Sequence, residues 1–112
     1  MNEQATNQQT FYQAVSGGGL LVVAQWEAKP EEANRVAEIL RDFLPQAQSE
    51  PGVKLFLIGR AKDNGAQFLF YELFHDEAAF RAHQDSPHFK SHIAGQALAL
   101  LAKRERTQYE LI

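Results

Sequence analysis

Residues 20–26 read Leu-Leu-Val-Val-Ala-Gln-Trp, an apolar run rich in residues that favour extended backbone, so they predict a strand. Pro30, Glu31 and Glu32 follow. Proline suits the first helical position, and acids there complement the helix dipole. Ala33, Val36, Ala37, Leu40, Phe43, Leu44 and Ala47 then recur at helical spacing as one apolar stripe, while Asn34, Arg35, Glu38, Arg41 and Asp42 cover the opposite face. Pro45 is expected to kink or fray the last turn. Glu50-Pro51-Gly52 reads as a turn, and residues 53–60 as a second strand whose residues 55–58 are apolar on both faces, which calls for cover on both faces. Asn64-Gly65 favours a tight hairpin turn, leading into a third strand over 67–74 with Phe68, Phe70, Tyr71 and Phe74. Asp76 caps a short helix that places Ala79, Phe80 and His83 on one side. Ser86 and Pro87 open another helix, with Phe89, Ile93, Ala97, Leu100 and Leu101 as its buried face. Residues 103–111 alternate and close the chain as a fourth strand.

This order of strand, helix, strand, strand, helices, strand is the split βαβ pattern of a ferredoxin-like α+β fold with an antiparallel sheet. Helices cover one sheet face. The other face needs cover too, and a second copy is the simplest cover. The pattern therefore predicts a homodimer through the sheet face, a dimeric α+β barrel. The domain spans residues 20–112. Residues 1–19 are read as a flexible N-terminal arm, polar and Gln/Asn-rich, carrying Phe11, Tyr12 and Val15 and ending in the hinge Gly17-Gly18-Gly19.

Composition narrows the function classes. A chain of 112 residues fits one domain. The net charge is −3 and the densest basic stretch, residues 103–106, is broken by Glu105, so no nucleic-acid footprint is expected. No cysteine is present, which removes disulfides, thiolate metal sites and cysteine nucleophiles. No apolar run approaches the ~20 residues of a membrane span. Residues 1–10 hold no Lys or Arg and no apolar block, so no signal peptide is expected and the expected location is cytoplasmic. Gly17-Gly18-Gly19 precedes a strand rather than a helix, the wrong context for a phosphate loop.

Four histidines fall between His75 and His92. His88 and His92 stand four apart on one predicted helix, a spacing that can chelate zinc, but no third firm ligand is evident, so no metal is expected. His83 lies on the apolar side of its helix, either as a core histidine bonded to a carbonyl or as a general acid/base. His88 falls in a first helical turn, where the dipole disfavours the charged ring; it is a solvated residue or a neutral proton acceptor. Glu72 sits mid-strand between Phe70 and Phe74 on one face. It is either salt-bridged to Arg60 or Arg104, or a buried acid of raised pKa beside a pocket. Trp26, Phe56, Phe68, Phe70, Tyr71 and Phe80 offer flat apolar surface, mostly core, with Trp26 and Tyr71 the better candidates for a ligand wall because each has a polar tip.

The stretch 70–83, with Tyr71-Glu72, Asp76-Glu77 and Ala82-His83, together with Ser86-Pro87-His88-Phe89-Lys90 and the turn Glu50-Pro51-Gly52-Val53, resembles the antibiotic biosynthesis monooxygenase family. The resemblance covers residues 20–112. It implies a dimeric α+β barrel and, in one branch, cofactor-free oxidation by O2 of a quinol or related phenolic, polycyclic molecule. His83, His88 and Glu72 would then be catalytic, with Trp26, Phe56, Phe70, Tyr71 and Phe80 around the substrate. A second branch implies an isomerase or lyase of a small, phosphorylated hydroxy-ketone of the autoinducer-2 kind, for which Arg35, Lys90 or Arg106 would supply a cation. A haem-degrading branch uses an Asn, a Trp and a His where this chain has Gln25, Phe74 and Ile93, so haem is not expected. The non-enzymatic alternative is a dimer that binds a small molecule without turnover.

Overall fold

The computed structural model describes residues 10–112. The first apolar run forms β1 (Leu20–Ala28), two residues longer than the sequence pattern predicts. After a short helix α1 (Phe11–Val15) and strand β1, a 3-10 turn at Pro30–Glu32 leads into α2 (Ala33–Gln48). Strands β2 (Val53–Arg60), β3 (Gln67–Phe74) and β4 (Leu101–Glu110) complete a four-stranded sheet in the order β2-β3-β1-β4, every neighbouring pair antiparallel. β3 therefore lies between β1 and β2, which is the split βαβ arrangement of the ferredoxin-like α+β fold.

Register sorts the side chains by face. Val22 pairs with Glu72 and Ala24 with Phe70 across β1 and β3, and Phe56 pairs with Glu72 across β2 and β3. These residues, with Trp26, Phe68 and Phe74, point toward the helices and are buried. From α2, Val36, Ile39, Leu40 and Phe43 meet them. The intervening residues occupy the other face, where Leu57, Leu69, Tyr71 and Tyr109 are exposed.

Several expectations need correction. Pro45 does not interrupt α2, which runs on to Gln48. Proline removes only the one backbone donor that would meet the Arg41 carbonyl, and the last turn is closed by Ser49, whose Oγ donates to the Pro45 carbonyl at 2.8 Å. Asn64-Gly65 is not a tight two-residue hairpin. Residues 61–66 form a longer loop in which Asn64 Oδ1 accepts from Ala66 N–H at 3.1 Å and Arg60 Nε donates to the Gly65 carbonyl at 2.6 Å. Gly65 lacks the positive φ that the tight turn requires. α3 (Glu77–Asp85) is capped as expected, Asp76 Oδ1 accepting from Ala79 N–H at 2.8 Å. Ser86 Oγ likewise accepts from Phe89 N–H at 3.2 Å. The helix that follows is not one long α-helix. It is a π-helical turn over Phe89–Ala94 and a 3-10 turn over Ala97–Leu100, parted where Gly95 weakens the helix and Gln96 leaves helical backbone at φ −133°.

The expected arm falls partly on residues 1–9, outside the described residues. Phe11–Val15 form the short helix α1, opened by a capping box between Thr10 and Gln13. Ala14 is buried there, whereas Phe11 and Tyr12 are exposed. Lys54 Nζ donates to the Gly18 carbonyl at 2.7 Å and ties this segment to β2.

Candidate active site

Local sequence brings three separated residues to one point. In the turn before β2, Gly52 lies against Ala79 of α3 so closely that a Cβ at position 52 would overlap the Ala79 methyl. The Gly52 carbonyl also accepts from His75 N–H at 2.9 Å, just ahead of α3. His83 follows Ala79 by four residues and so shares its helix face. The turn that seats Gly52 on Ala79 thereby seats Glu50 on His83. His83 Nδ1 lies 2.8 Å from Glu50 Oε2, and His88 Nε2, entering the π-helical turn, lies 2.6 Å from the same oxygen. A carboxylate oxygen only accepts, so a hydrogen bond to it requires a proton on each ring nitrogen that faces it. That leaves His83 Nε2 unprotonated in the neutral ring. Among the described residues the one side-chain hydrogen bond of His83 is the Nδ1 contact to Glu50.

His83 is 2% exposed and packs among Phe43, Phe56, Phe74 and Phe89, with ring centroids between 5.2 and 5.9 Å away. Burial disfavours the imidazolium and lowers the His83 pKa, the Glu50 hydrogen bond and charge opposing this and the nearby His88 assisting it. His83 is thus held neutral in one tautomer, as a general base requires.

His83, but not Glu50, lines a cavity of about 300 Å³ walled by Trp26, Phe56, Phe70, Phe80 and Phe89, which the buried Glu72 and the exposed Arg104 and Arg106 also line. Trp26 and Phe70 are in contact at 4.5 Å between centroids. Glu72 is 7% exposed and forms no salt bridge with Arg60 or Arg104. Burial raises its pKa to about 8, against the lowering pull of Arg106 and with the help of the Glu50 charge. The carboxyl is therefore a proton-bearing acid at neutral pH. Arg106 lies over the Phe80 ring at 5.1 Å and has no carboxylate partner among the described residues. A larger depression of about 460 Å³, lined by Gln25, Glu27, Arg60, Gln67 and Lys103 among others, holds no buried titratable group, whereas the smaller cavity holds two, Glu72 and His83.

Of the residues singled out from sequence, His83, Glu72, Trp26, Phe56, Phe70 and Phe80 line this one cavity. His88 does not line it and stands behind Glu50. Tyr71 lies on the opposite sheet face, 38% exposed. His88 and His92 do not face a common point. His88 turns to Glu50, while His92 Nδ1 lies 3.2 Å from the His88 carbonyl. Glu50 was not among the candidates, although it stood in the turn that carried the family resemblance; a turn has no periodicity to show where its side chain points. Glu50, His83 and His88 are also the residues able to hold a metal ion, their donor atoms lying within 4.8 Å of one another.

Residues 19–95 match the model of a family described as antibiotic biosynthesis monooxygenase. Solved structures share the fold. PA3566 from Pseudomonas aeruginosa is 23% identical, with a TM-score of 0.80 over 86% of this chain and 96% of its own. A conserved protein from Methanosarcina mazei Go1 is 23% identical, with a TM-score of 0.77 over 89% and 97%. A structure described as an antibiotic biosynthesis monooxygenase is 24% identical, with a TM-score of 0.72 over 83% and 96%. No curated protein matches the chain. No helix of the described residues is long and apolar enough to cross a membrane.

Proposed function

We propose that this chain, which belongs to the antibiotic biosynthesis monooxygenase family, oxidises a quinol or related phenolic, polycyclic molecule with O2 and without a cofactor. The observation that carries the reading is the buried His83, hydrogen-bonded to Glu50 through Nδ1 and lining an aromatic-walled cavity. His83 Nε2 takes the proton of a ring hydroxyl. Glu50 holds the tautomer and stabilises the imidazolium that forms, with His88 as a positioning residue behind it. Glu72, protonated at neutral pH, donates a hydrogen bond to a substrate oxygen. The ring anion passes an electron to O2, and the radical pair joins through a carbon–oxygen bond. The peroxide then breaks its O–O bond with loss of the ring hydrogen. One oxygen atom remains as a carbonyl, and the other leaves with two hydrogens as water. The apolar walls keep bulk water from the anion.

In the same reading the chain works as a homodimer through the face that bears Leu57, Leu69, Tyr71 and Tyr109. Labelled O2 and a panel of reduced quinols and polycyclic phenols test the chemistry. One labelled oxygen is expected in product and one in water, at a rate above autoxidation that His83→Ala lowers by roughly 100-fold or more. An unchanged rate in His83→Ala overturns it.

One observation favours a second reading. Arg106, which lines the cavity, lacks a carboxylate partner among the described residues and suits an anionic group. An isomerase or lyase of a phosphorylated hydroxy-ketone would use His83 to move a proton beside a carbonyl. Turnover of such a ketone, lost when its phosphate is removed, would select that reading. Ligand-induced thermal stabilisation without product from either panel would select a binding dimer.

A further inference from the structure

Two imidazoles and a carboxylate that meet at one oxygen atom also form a ligand set for a transition ion. The geometry points to a divalent metal site of the zinc class at Glu50, His83 and His88, and to an ion whose binding there turns His83 from a proton acceptor into a donor.

The ligands come from three elements: the turn before β2, helix α3 and the residue entering the π-helical turn. The packing of Gly52 on Ala79 fixes two of them against each other. The set of two imidazoles and one carboxylate, with room for a water, suits borderline ions such as zinc. The two ring nitrogens now stand 2.8 and 2.6 Å from Glu50 Oε2, at hydrogen-bond distance. Around zinc, with bonds of about 2.0–2.2 Å, tetrahedral ligands stand about 3.3 Å apart. The cluster must therefore open by roughly 0.5–0.7 Å, a small torsional adjustment of the Glu50 side chain. Side-chain exposures of 3% for His83, 12% for Glu50 and 14% for His88 give a shielded site with one edge open to an arriving ion and a water ligand. Phe43 packs on both rings, with centroids 5.9 Å from His83 and 5.8 Å from His88, and holds their planes.

The consequence follows from proton bookkeeping in the ring. A neutral imidazole carries one proton. A hydrogen bond to the Glu50 carboxylate puts it on Nδ1 in the free site and leaves the lone pair on Nε2, the nitrogen turned from Glu50 on a ring that lines the cavity. A metal ion on Nδ1 uses that nitrogen's lone pair, so the proton moves to Nε2. The nitrogen facing substrate then donates and cannot accept. No electron changes hands, and the ring keeps its one proton. Metal binding rests on the ligand geometry alone, and only its effect on turnover rests on the reading of His83 as base.

Zinc is titrated into the metal-free full chain by calorimetry, with cobalt(II) as an absorbing substitute. One ion per chain at micromolar affinity or tighter is expected, with the visible bands of four-coordinate cobalt. Glu50→Gln and His88→Gln are each expected to weaken binding by roughly 10-fold or more, whereas His92→Gln, outside the cluster, leaves it unchanged. No saturable binding, or binding that survives Glu50→Gln intact, overturns the site. The tautomer is read by long-range proton–nitrogen spectra of the imidazoles, which need no turnover. Zinc is expected to move the His83 proton to Nε2, and an unmoved proton overturns the switch. In the oxygen assay zinc should suppress the rate and a chelator restore it; an enzyme indifferent to bound zinc refutes the switch. If no phenol is consumed even without zinc, the base reading falls while the site and tautomer results stand.

Discussion

Glu72 and His83 face one cavity and carry opposite pKa displacements, which makes each separately measurable. With its pKa at about 8 rather than 4.5, folded Glu72 keeps a proton that the unfolded chain releases. Its contribution to stability is complete below pH 4.5 and is lost as pH rises toward 8. The isosteric, uncharged Glu72→Gln should flatten this slope and stabilise the protein at pH 8 by on the order of 4 kcal/mol, read from urea unfolding at pH 5 and pH 8. His83 acts in the opposite sense. Its folded pKa is lowered by burial, so below pH 6.5 the unfolded chain takes up a proton that the folded ring resists, and stability falls on acidification. If the two groups act as base and acid, kcat/KM should fall on the acid side below pH 6.5 and on the alkaline side near pH 8, and Glu72→Gln should remove the alkaline limb alone. Strand parity made part of this legible from sequence. Phe70, Glu72 and Phe74 had to share a face, and Tyr71 had to leave it, even though the family resemblance grouped Tyr71 with them. Glu50 was not legible, because its meeting with His83 depends on a turn docking against a helix 33 residues away in sequence.

At the scale of elements, that docking depends on the close contact between Gly52 and Ala79. Gly52→Ala should force the turn off α3, destabilising the fold by about 1–3 kcal/mol and shifting the His83 ring resonances as Glu50 withdraws. Full native stability in urea with an unshifted His83 would show that the turn has slack. The strands and α2 were readable because alternation and a single 3.6-residue stripe each determine a face. The segment after Ser86 was not. Phe89, Ile93, Ala97 and Leu100 fit helical spacing, and nothing in that spacing separates α, π and 3-10 winding or marks the break at Gly95 and Gln96. The loop over 61–66 misled for a related reason. Asn-Gly favours a tight turn in isolation, but here Arg60 reaches to the Gly65 carbonyl and Nη2 to Asn34 Oδ1 at 2.9 Å, which anchors a wider loop.

For the molecule as a whole, the helices pack one face of the sheet, while among the described residues the other buries Leu73 and leaves several large side chains exposed. Leu57 is 58% exposed and Tyr109 48%. The continuous apolar pattern of β2 and β3 calls for cover, and a second copy is the proposed cover. Light scattering should report twice the chain mass of 12.6 kDa, and a Leu57→Glu, Tyr71→Glu double variant should shift the population to monomer. Wild-type monomer at micromolar concentration would leave these exposed side chains without their proposed partner. One consequence for the whole chain comes from its sole tryptophan, Trp26, which is 8% exposed and stands in the wall of the His83 cavity. The ultraviolet-excited emission of the chain above the tyrosine band therefore comes from one place. A flat ring entering that cavity should quench or recolour the light the protein emits, so unlabelled protein in a cuvette can report occupancy before any reaction has been found.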